Sequence, residues 1–360
     1  MPRARRRRSR SPGAWPGARS RSAPRSRRAG SARARCRGSP VSASGSITDV
    51  PGIRVGHVTD HVGLTGCTVV LCDAPAVGGV TLRGWANAVH GLEFLDPRHI
   101  VPGVDGALLA GGSAYGLEAV WGVMRFLEGR GIGFRAGPTV VPHVAAAILF
   151  DLNVGDMRAR PTREMGYAAA ANATPAAPGE GSVGAGTGAT VGKLHRIERA
   201  MRGGIGSAST RAEGAVVGAL VAVNAVGDVR DPDTGALLAG ARDAPDGRRL
   251  IDTARALRSG ARLAGFAPEN TTIGVIATDA RLSKAETVKV AELGMTGFAR
   301  ALSPPHTAVD GDTLFTLSVG DVRADLTALG LAAAEAVARA IARAVLAATS
   351  LPGIPAARDL

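Results

Sequence analysis

Three short polar segments of the sequence have residue types and spacings that can do chemistry. Asn270-Thr271-Thr272 is a polar tripeptide that opens an apolar run. A glycine-rich turn over residues 184–194 delivers one lysine, Lys193. Asp310-Gly311-Asp312 offers two carboxylates, one residue apart, that can orient an amine or a lysine. Taken alone, the first segment is more typical of a turn before a strand than of a site, and the third is also typical of a hairpin turn.

Three further patterns resemble familiar sites but fail on a required residue or on the local structure. In the glycine-rich turn, Thr187 stands where a Walker A loop needs glycine, and Leu194 stands where it needs serine or threonine. Ser113 directly follows a glycine, so the nucleophile-elbow spacing fails and a helix N-cap is the simpler role. His57 and His61 are four apart, but their neighbours predict strand and turn, and no Cys or Glu completes a ligand set. The sequence implies no metal or organic cofactor.

The elements that must position these segments alternate between strands and helices. Apolar runs predict strands over 67–71, 104–109, 215–226 and 273–278. Apolar residues at helical spacing predict helices over about 117–127, 284–302 and 327–348, and the Ala-rich segments 144–152 and 168–172 also look helical. The sum predicts one α/β domain over residues 46–360.

The charge of the chain is concentrated in its first residues. The whole chain of 360 residues carries a formal charge of +13, but residues 1–40 hold 14 Arg and no Asp, Glu or Lys, which leaves −1 for the rest. We expect residues 1–45 to be disordered, because such a composition cannot bury enough apolar surface. A basic tail on a near-neutral domain is only weak evidence for binding to nucleic acid.

Other features favour a protein of the cytoplasm. The longest Ala-rich stretch, residues 331–346, is interrupted by charged residues, so no segment is predicted to span a membrane. Cys67 and Cys72 lie five apart in one apolar run, so on a strand they point to opposite faces. We expect both to be reduced thiols in the core.

Five segments, found together and in one order, carry a family resemblance. They are Ile-Thr-Asp-Val-Pro-Gly-Ile-Arg-Val-Gly-His from residue 47, Leu-Ala-Gly-Gly-Ser-Ala-Tyr-Gly-Leu from 109, Gly-Ala-Gly-Thr-Gly-Ala-Thr-Val-Gly-Lys from 184, Asn-Thr-Thr-Ile-Gly-Val-Ile-Ala-Thr-Asp from 270 and His-Thr-Ala-Val-Asp-Gly-Asp-Thr from 306. The chain thereby resembles the DmpA-like peptidases, or L-aminopeptidase/D-esterase family, over about residues 47–360. That family includes β-aminopeptidases, a pantetheine hydrolase and nylon-oligomer hydrolases.

The resemblance implies a four-layer αββα sandwich, a fold shared with ornithine acetyltransferases, and assembly into tetramers or larger. It also implies self-cleavage between Asn270 and Thr271, giving a large subunit 1–270 and a small subunit 271–360. The mature enzyme would hydrolyse small peptides or amides. The resemblance implies that Thr271 is the nucleophile, that Asn224 donates to the oxyanion and that Lys193 is the site lysine. It also implies that Asp310 and Asp312 are orienting carboxylates and that Tyr115 lines the substrate pocket.

The implied chemistry is self-consistent. A threonine hydroxyl is a poor nucleophile without a neighbouring base. Cleavage would give Thr271 a free α-amine, whose usual pKa of about 7.7–8.0 lets it accept a proton near neutral pH. The aminopeptidase members of the family have a Ser nucleophile, and they have a Ser/Glu pair where this chain has Asp310 and Asp312. Thr271 together with the two aspartates resembles the nylon-oligomer and pantetheine hydrolases more closely.

Two other functions remain open from the sequence. An acyltransferase of the ornithine acetyltransferase type would pass the acyl group to an amine, so its activity depends on an amine acceptor. A nucleic-acid-associated protein would act through the Arg-rich tail, and its binding would be sensitive to salt and lost without residues 1–45.

Overall fold

A computed structural model describes residues 45–263 and 270–360 of the chain. The tail predicted over residues 1–45 lies outside the described residues except for Gly45, as does Cys36. The strands are β1 Ile53–Asp60, β2 Thr65–Leu82, β3 Val89–His90, β4 Val104–Ala110, β5 Phe134–Ala136, β6 Thr139–Val141, β7 Val144–Ile148, β8 Thr190–Val191, β9 Met201–Arg202, β10 Gly204–Ala212, β11 Ala215–Asn224, β12 Asp228–Arg230, β13 Leu237–Ala239, β14 Thr271–Ala280, β15 Leu302–Ser303 and β16 Thr313–Val322.

The α-helices are α1 Leu92–Leu95, α2 Ala119–Glu128, α3 Arg163–Ala171, α4 Thr253–Arg258, α5 Lys284–Gly294, α6 Thr296–Ala301 and α7 Leu326–Leu346. Side chains at their starts explain several boundaries. Ser283 and Glu286 form a capping box at α5, and Asp325 accepts the Ala328 N–H at α7. Short 3₁₀ turns cover Ile47–Asp49, Ser113–Glu118, Gly184–Gly186, Lys193–His195, Ile197–Arg199 and Ala357–Asp359.

Most of the predicted elements are confirmed. The four predicted strands fall within β2, β4, β11 and β14, and α2, α3 and α7 match predicted helices. The helix predicted over 284–302 is divided into α5 and α6, and Leu302 belongs to β15. The helical prediction for 144–152 is wrong, because this segment contains the buried strand β7. The N-cap role of Ser113 is also wrong: Gly112 precedes the turn, and Ser113 begins it with φ at 54°.

One long strand joins the two halves of the main sheet. The sheet runs in the order β10-β11-β14-β16-β2-β4-β7-β3, and β1 also pairs with β2. The first half of β2 pairs with β1 and β4, and its second half pairs with β16. Within the sheet, β14 runs parallel to β16 and β4 runs parallel to β7. The 18-residue β2 therefore passes from one half of the sheet to the other.

In the part of the chain that the structure describes, three apolar cores separate four layers. The core between the two half-sheets takes Leu109 from β4 and Leu220 from β11. The next residue on each strand points the other way, since side chains alternate along a strand: Leu108 packs under α2 and α3, and Val221 packs under α5, α6 and α7. The order helix, sheet, sheet, helix confirms the predicted αββα sandwich.

Two sequence features have a simple structural outcome. Cys67 and Cys72 are free and buried, and they contribute to different cores on opposite faces of β2, as predicted. Within residues 45–263 and 270–360, no helix has both the length and the apolar character needed to cross a membrane.

Candidate active site

The sheet topology brings the predicted site residues to one edge. Strand β14 begins at Thr271, and its antiparallel neighbour β11 ends at Asn224, directly opposite in the register. Strands β14 and β16 are parallel, so the residues that precede them also lie side by side. Asn270 forms a parallel bridge with Asp310 there. Three strand ends thus converge on the Asn270–Thr271 bond.

The Asn270–Thr271 bond is buried and held by backbone contacts. Asn270 is 4% exposed and Thr271 is 2% exposed. The carbonyl oxygen of Asn270 accepts the Gly311 N–H at 2.8 Å. This donor points at the oxygen that would gain negative charge if the carbonyl carbon were attacked, which is the arrangement of an oxyanion contact.

Asp312 holds the start of β14 from one side. One of its carboxylate oxygens accepts the Thr272 N–H at 2.8 Å. The other lies 2.7 Å from His306 Nδ1, and the His306 ring stacks on Phe298. Asp312 is 1% exposed, so these contacts take place away from bulk water. It fixes the backbone one residue after Thr271.

Asp310 is buried beside Asp312 and has an altered proton affinity. Its carboxylate accepts the Val226 N–H at 3.2 Å and the Thr307 N–H at 3.0 Å, and it also accepts the Thr307 hydroxyl. Burial, and then the negative charge of Asp312, raise the pKa of Asp310 to about 6. Asp310 therefore exchanges a proton closer to neutral pH than an ordinary carboxyl group.

The glycine-rich turn carries Lys193 to the end of β11. The Lys193 N–H donates to the Val226 carbonyl at 3.0 Å, and Lys193 Nζ donates to the backbone oxygen of Asn224 at 3.0 Å and to its Oδ1 at 2.9 Å. Gly192, with φ at 74°, makes the turn possible, because a Cβ there would lie 2.0 Å from the Ala241 nitrogen. Lys193 is only 7% exposed.

Asn224 is oriented on both sides of its amide. Its Oδ1 accepts the Thr190 N–H at 3.0 Å in addition to Lys193 Nζ. Its Nδ2 donates to the Phe150 carbonyl at 2.9 Å, which accounts for one of the two hydrogens on that nitrogen. The amide of Asn224 is consequently locked in one orientation beside Thr271.

Tyr115 is placed apart from this network. It lies in the 3₁₀ turn Ser113–Glu118 and is 59% exposed. The Arg160 guanidinium lies over its ring at 3.6 Å from the centroid. Of the predicted site residues, the structure brings Asn270, Thr271, Asn224, Lys193, Asp310 and Asp312 together and leaves Tyr115 at the surface.

Sequence reasoning assigned no role to three polar residues that lie in or near this cluster. His306 and Thr307 bind the two carboxylates, and their position just before Asp310 in a conspicuous motif is a signal that could have revealed them. Asp151 gives a weaker signal, a lone acid in the apolar run Leu149-Phe150-Asp151-Leu152. It is buried, and burial raises its pKa to about 6.

The two histidines with metal-like spacing do not form a pair on a helix. His57 lies on β1, with Nδ1 at 2.8 Å from Thr68 Oγ1, whereas His61 is exposed beyond the strand end. Among the described residues, no group of three or more His, Cys, Asp or Glu side chains is arranged to hold a metal ion.

Comparisons with known proteins agree with this fold. The family model described as "Peptidase family S58" matches residues 45–358. An uncharacterized aminopeptidase of Mycobacterium leprae is 45% identical over 352 residues, covering 86% of this chain and 92% of that protein. A 6-aminohexanoate-oligomer endohydrolase of Kocuria sp. is 32% identical over 289 residues, covering 79% of this chain and 78% of that protein. The structure also superimposes on the L-aminopeptidase D-Ala-esterase/amidase of Ochrobactrum anthropi, which is a variant of the Ntn hydrolase fold. The TM-score is 0.64 at 19% identity, and the superposition covers 86% of this chain and 89% of that protein.

Proposed function

The chain belongs to peptidase family S58 and is a hydrolase of peptide or amide bonds, and we propose that it matures by cutting itself between Asn270 and Thr271. Thr271 then becomes the N-terminal nucleophile of the mature enzyme. One observation carries this proposal: an amide donor, two carboxylates and a lysine converge on a single buried peptide bond whose carbonyl oxygen already accepts the Gly311 N–H at 2.8 Å.

Self-cleavage follows from the groups around that bond. Thr271 Oγ1 attacks the Asn270 carbonyl carbon and loses its proton, and the Gly311 N–H stabilises the charge on the carbonyl oxygen. The carbon–nitrogen bond breaks, the Thr271 nitrogen takes up a proton, and an ester remains. Water then hydrolyses the ester, which leaves a carboxylate on Asn270 and frees both the hydroxyl and the α-amine of Thr271.

The mature enzyme uses the same residue twice. The α-amine of Thr271 accepts the hydroxyl proton as the oxygen attacks a substrate amide, and the leaving amine receives a proton. Asn224 supports the oxyanion, and Lys193, bonded to Asn224, provides positive charge. Asp310 and Asp312 hold the new N-terminus, since Asp312 already binds the next backbone N–H. Water releases the acyl group.

The sheet gives a reason for the two pieces to stay together. Strand β14 lies in the small fragment 271–360 and pairs with β11 of the large fragment 1–270 along its length. Helix α7, also in the small fragment, packs on β10 and β11. Cutting one bond at the edge removes none of these contacts, so we propose a stable two-fragment subunit that assembles with copies of itself.

Small peptides and amides are the proposed substrates. The relatives suggest two series for a first screen: peptides with a free amino terminus, and linear oligomers of 6-aminohexanoate. Capping the amino group distinguishes an aminopeptidase from a general amidase, because only the former loses its substrate. An amine acceptor added to the same assay distinguishes hydrolysis from acyl transfer, which the same acyl-enzyme can support.

The mass of the purified chain tests the proposal. We expect the denatured protein to give two fragments that meet at Asn270–Thr271, and native mass measurement to show them in one particle. Thr271→Ala should stay uncut, and Thr271→Ser should cut, because it keeps the hydroxyl. A wild-type chain that remains whole after long incubation would disprove the proposed self-cleavage, while a cut at another bond would reassign the nucleophile.

A further inference from the structure

His306 and Thr307 are adjacent residues, and each binds one of the two buried carboxylates of the site. The His306 N–H donates to Asp312 Oδ2 at 3.2 Å, and the Thr307 N–H donates to Asp310 Oδ2 at 3.0 Å. The backbone of His306 lies in the left-handed region, with φ at 54°. This conformation is uncommon for residues other than glycine, and such turns direct successive N–H groups at an anion. The backbone at His306 is therefore shaped to hold the carboxylate pair.

The His306 ring makes a second contact with Asp312. Its Nδ1 lies 2.7 Å from Asp312 Oδ2, the same oxygen that the His306 N–H binds. The ring stacks on Phe298, with 5.6 Å between the ring centroids and 23° between the planes. An ionised carboxylate has no hydrogen to donate, so the ring must carry a hydrogen on Nδ1 to complete this bond.

The other oxygen of Asp312 holds the residue that follows the proposed nucleophile. Asp312 Oδ1 accepts the Thr272 N–H at 2.8 Å. One carboxylate thus connects the His306 ring on one side to the start of β14 on the other. Rotation of the carboxylate would carry Oδ1 away from the Thr272 N–H. A ring that fixes Asp312 therefore also fixes the backbone beside Thr271.

We propose that His306 is a positioning residue that fixes the Asp312 carboxylate and, through it, the start of β14 at Thr271. The ring donates its Nδ1–H to Asp312, and Asp312 in turn holds the Thr272 N–H. Stacking on Phe298 keeps the ring in the orientation that this donation requires. The importance of the contact for the reaction rests on the role proposed above for Thr271, whereas the contact itself can be tested without any reaction.

The protonation of the His306 ring tests the contact directly. The measurement uses uncut Thr271→Ala protein labelled with ¹⁵N-histidine, because the seven histidines of the chain give a simple spectrum and His306→Asn assigns one of them. We expect Nδ1 of His306 to carry a hydrogen at neutral pH. A His306 ring with a bare Nδ1 and its hydrogen on Nε2 would overturn the proposal, because that ring cannot donate to Asp312.

Two variants separate the ring from the backbone turn. Both Asn and Gly adopt a left-handed backbone, but only Asn offers a side-chain N–H in place of the ring donor. In Thr271→Ala protein, we expect the Thr272 N–H to exchange with solvent faster in His306→Gly than in His306→Asn. Equal exchange in these two variants would overturn the proposal.

The matched control for this exchange measurement is His143→Gly. The His143 N–H also donates to a buried carboxylate, that of Asp105, at 2.8 Å, and the His143 ring also packs against phenylalanine side chains. We expect His143→Gly to leave the exchange of the Thr272 N–H unchanged. Equally fast exchange in His143→Gly and His306→Gly would overturn the proposal, because it would show a general loosening of the fold.

The same variants of His306 measure what the contact contributes to the reaction when Thr271 is intact. We expect His306→Gly to cleave itself about 10- to 100-fold more slowly than the wild type, because a small displacement of reacting groups has an effect of this size. His306→Asn should recover most of that loss. Once it is cut, His306→Gly should show a lower kcat with little change in KM, since the ring acts on the nucleophile and not on substrate binding.

The outcomes distinguish this inference from the proposed self-cleavage. If the wild-type chain stays whole, self-cleavage fails, while the ring protonation and the Thr272 exchange still decide whether His306 fixes Asp312. If the wild type cleaves itself and His306→Gly cleaves equally fast, the positioning role is overturned and self-cleavage stands.

Discussion

At the scale of single residues, His57 is buried without a charged partner among the residues that the structure describes. His57 Nδ1 contacts Thr68 Oγ1, while Nε2 is buried with no hydrogen-bond partner among the described residues. Burial lowers the pKa of His57 to about 4. In the folded state the His57 ring is therefore neutral at neutral pH. In the unfolded chain the same ring takes up a proton near the ordinary histidine pKa of about 6.5.

This difference predicts an acid-sensitive stability. The contribution of His57 is complete above about pH 6.5 and is lost as the pH falls towards about 4, at about 1.4 kcal/mol per pH unit. The test measures the free energy of unfolding in urea, in uncut Thr271→Ala protein. Between about pH 7.5 and about pH 4.5, this free energy should fall by about 2–3 kcal/mol more in the chain that keeps His57 than in a His57→Asn variant. His61→Asn is the control and should follow its parent. Parallel curves for the parent and His57→Asn would contradict the prediction.

The candidate site shows which residues a sequence can reveal. Lys193, Asp310 and Thr271 stand in short polar motifs, so they could be named as candidates without a structure. Asp151 stands alone between apolar residues, and its hydrogen bonds are with Gly112 and Thr65, which are far away in the sequence. No local pattern encodes such a contact. Tyr115 shows the opposite: its motif is distinctive, yet its ring packs with Arg160 at the surface.

At the scale of elements, β7 shows how tertiary context overrides local propensity. The segment Val144–Ile148 is rich in alanine, which favours helices, so the sequence predicted a helical segment. In the fold, the segment is fully buried and lies between β4 and β3 in the sheet. Small side chains suit this position, because the layers on both faces pack closely against it. The four strands that were predicted, β2, β4, β11 and β14, could be recognised because β-branched and leucine residues are frequent in their apolar runs.

Gly311 lies where two loops pack closely. A substitution there tests whether this packing places the Gly311 N–H on the Asn270 carbonyl. A Cβ at Gly311 would lie 2.2 Å from the Ala86 carbonyl oxygen, and the Gly311 N–H binds the Asn270 carbonyl. Gly311→Ala must therefore shift the donor away from the scissile bond, and we expect self-cleavage to slow by about 10- to 100-fold. Mass spectra taken over time after synthesis measure the rate. Gly129→Ala, whose added Cβ would have 3.4 Å of clearance, should cleave normally. A Gly311→Ala chain that folds and cleaves at the wild-type rate would show that this contact is not required.

At the scale of the whole molecule, the excess positive charge of the chain and its match to the peptidase family fall on different residues. Residues 1–40 hold 14 Arg, and the rest of the sequence is near neutral. Gly45 is the first residue that the structure describes, and its carbonyl accepts a hydrogen bond from the Arg343 guanidinium at 2.7 Å. The Ile47 N–H then donates to Ser207 Oγ at 2.7 Å, and its side chain is fully buried between the sheets. Residue 45 is also where the match to the peptidase family begins.

This separation predicts that the hydrolase does not need its first 44 residues. A chain that starts at Gly45 keeps the Arg343 contact, so we expect its cleavage rate, activity and thermal midpoint to equal those of the full chain. A chain that starts at residue 51 loses Ile47, and we expect its thermal midpoint to fall, because a fully buried apolar side chain contributes about 1.5–3 kcal/mol. Binding to a DNA duplex at low salt should be present in the full chain, weaken steeply as salt is added, and vanish in both truncated chains, since the 14 Arg of residues 1–40 are unopposed by acidic residues whereas the rest of the sequence is near neutral. Loss of cleavage on removal of residues 1–44 would contradict this division and would make the tail part of the enzyme.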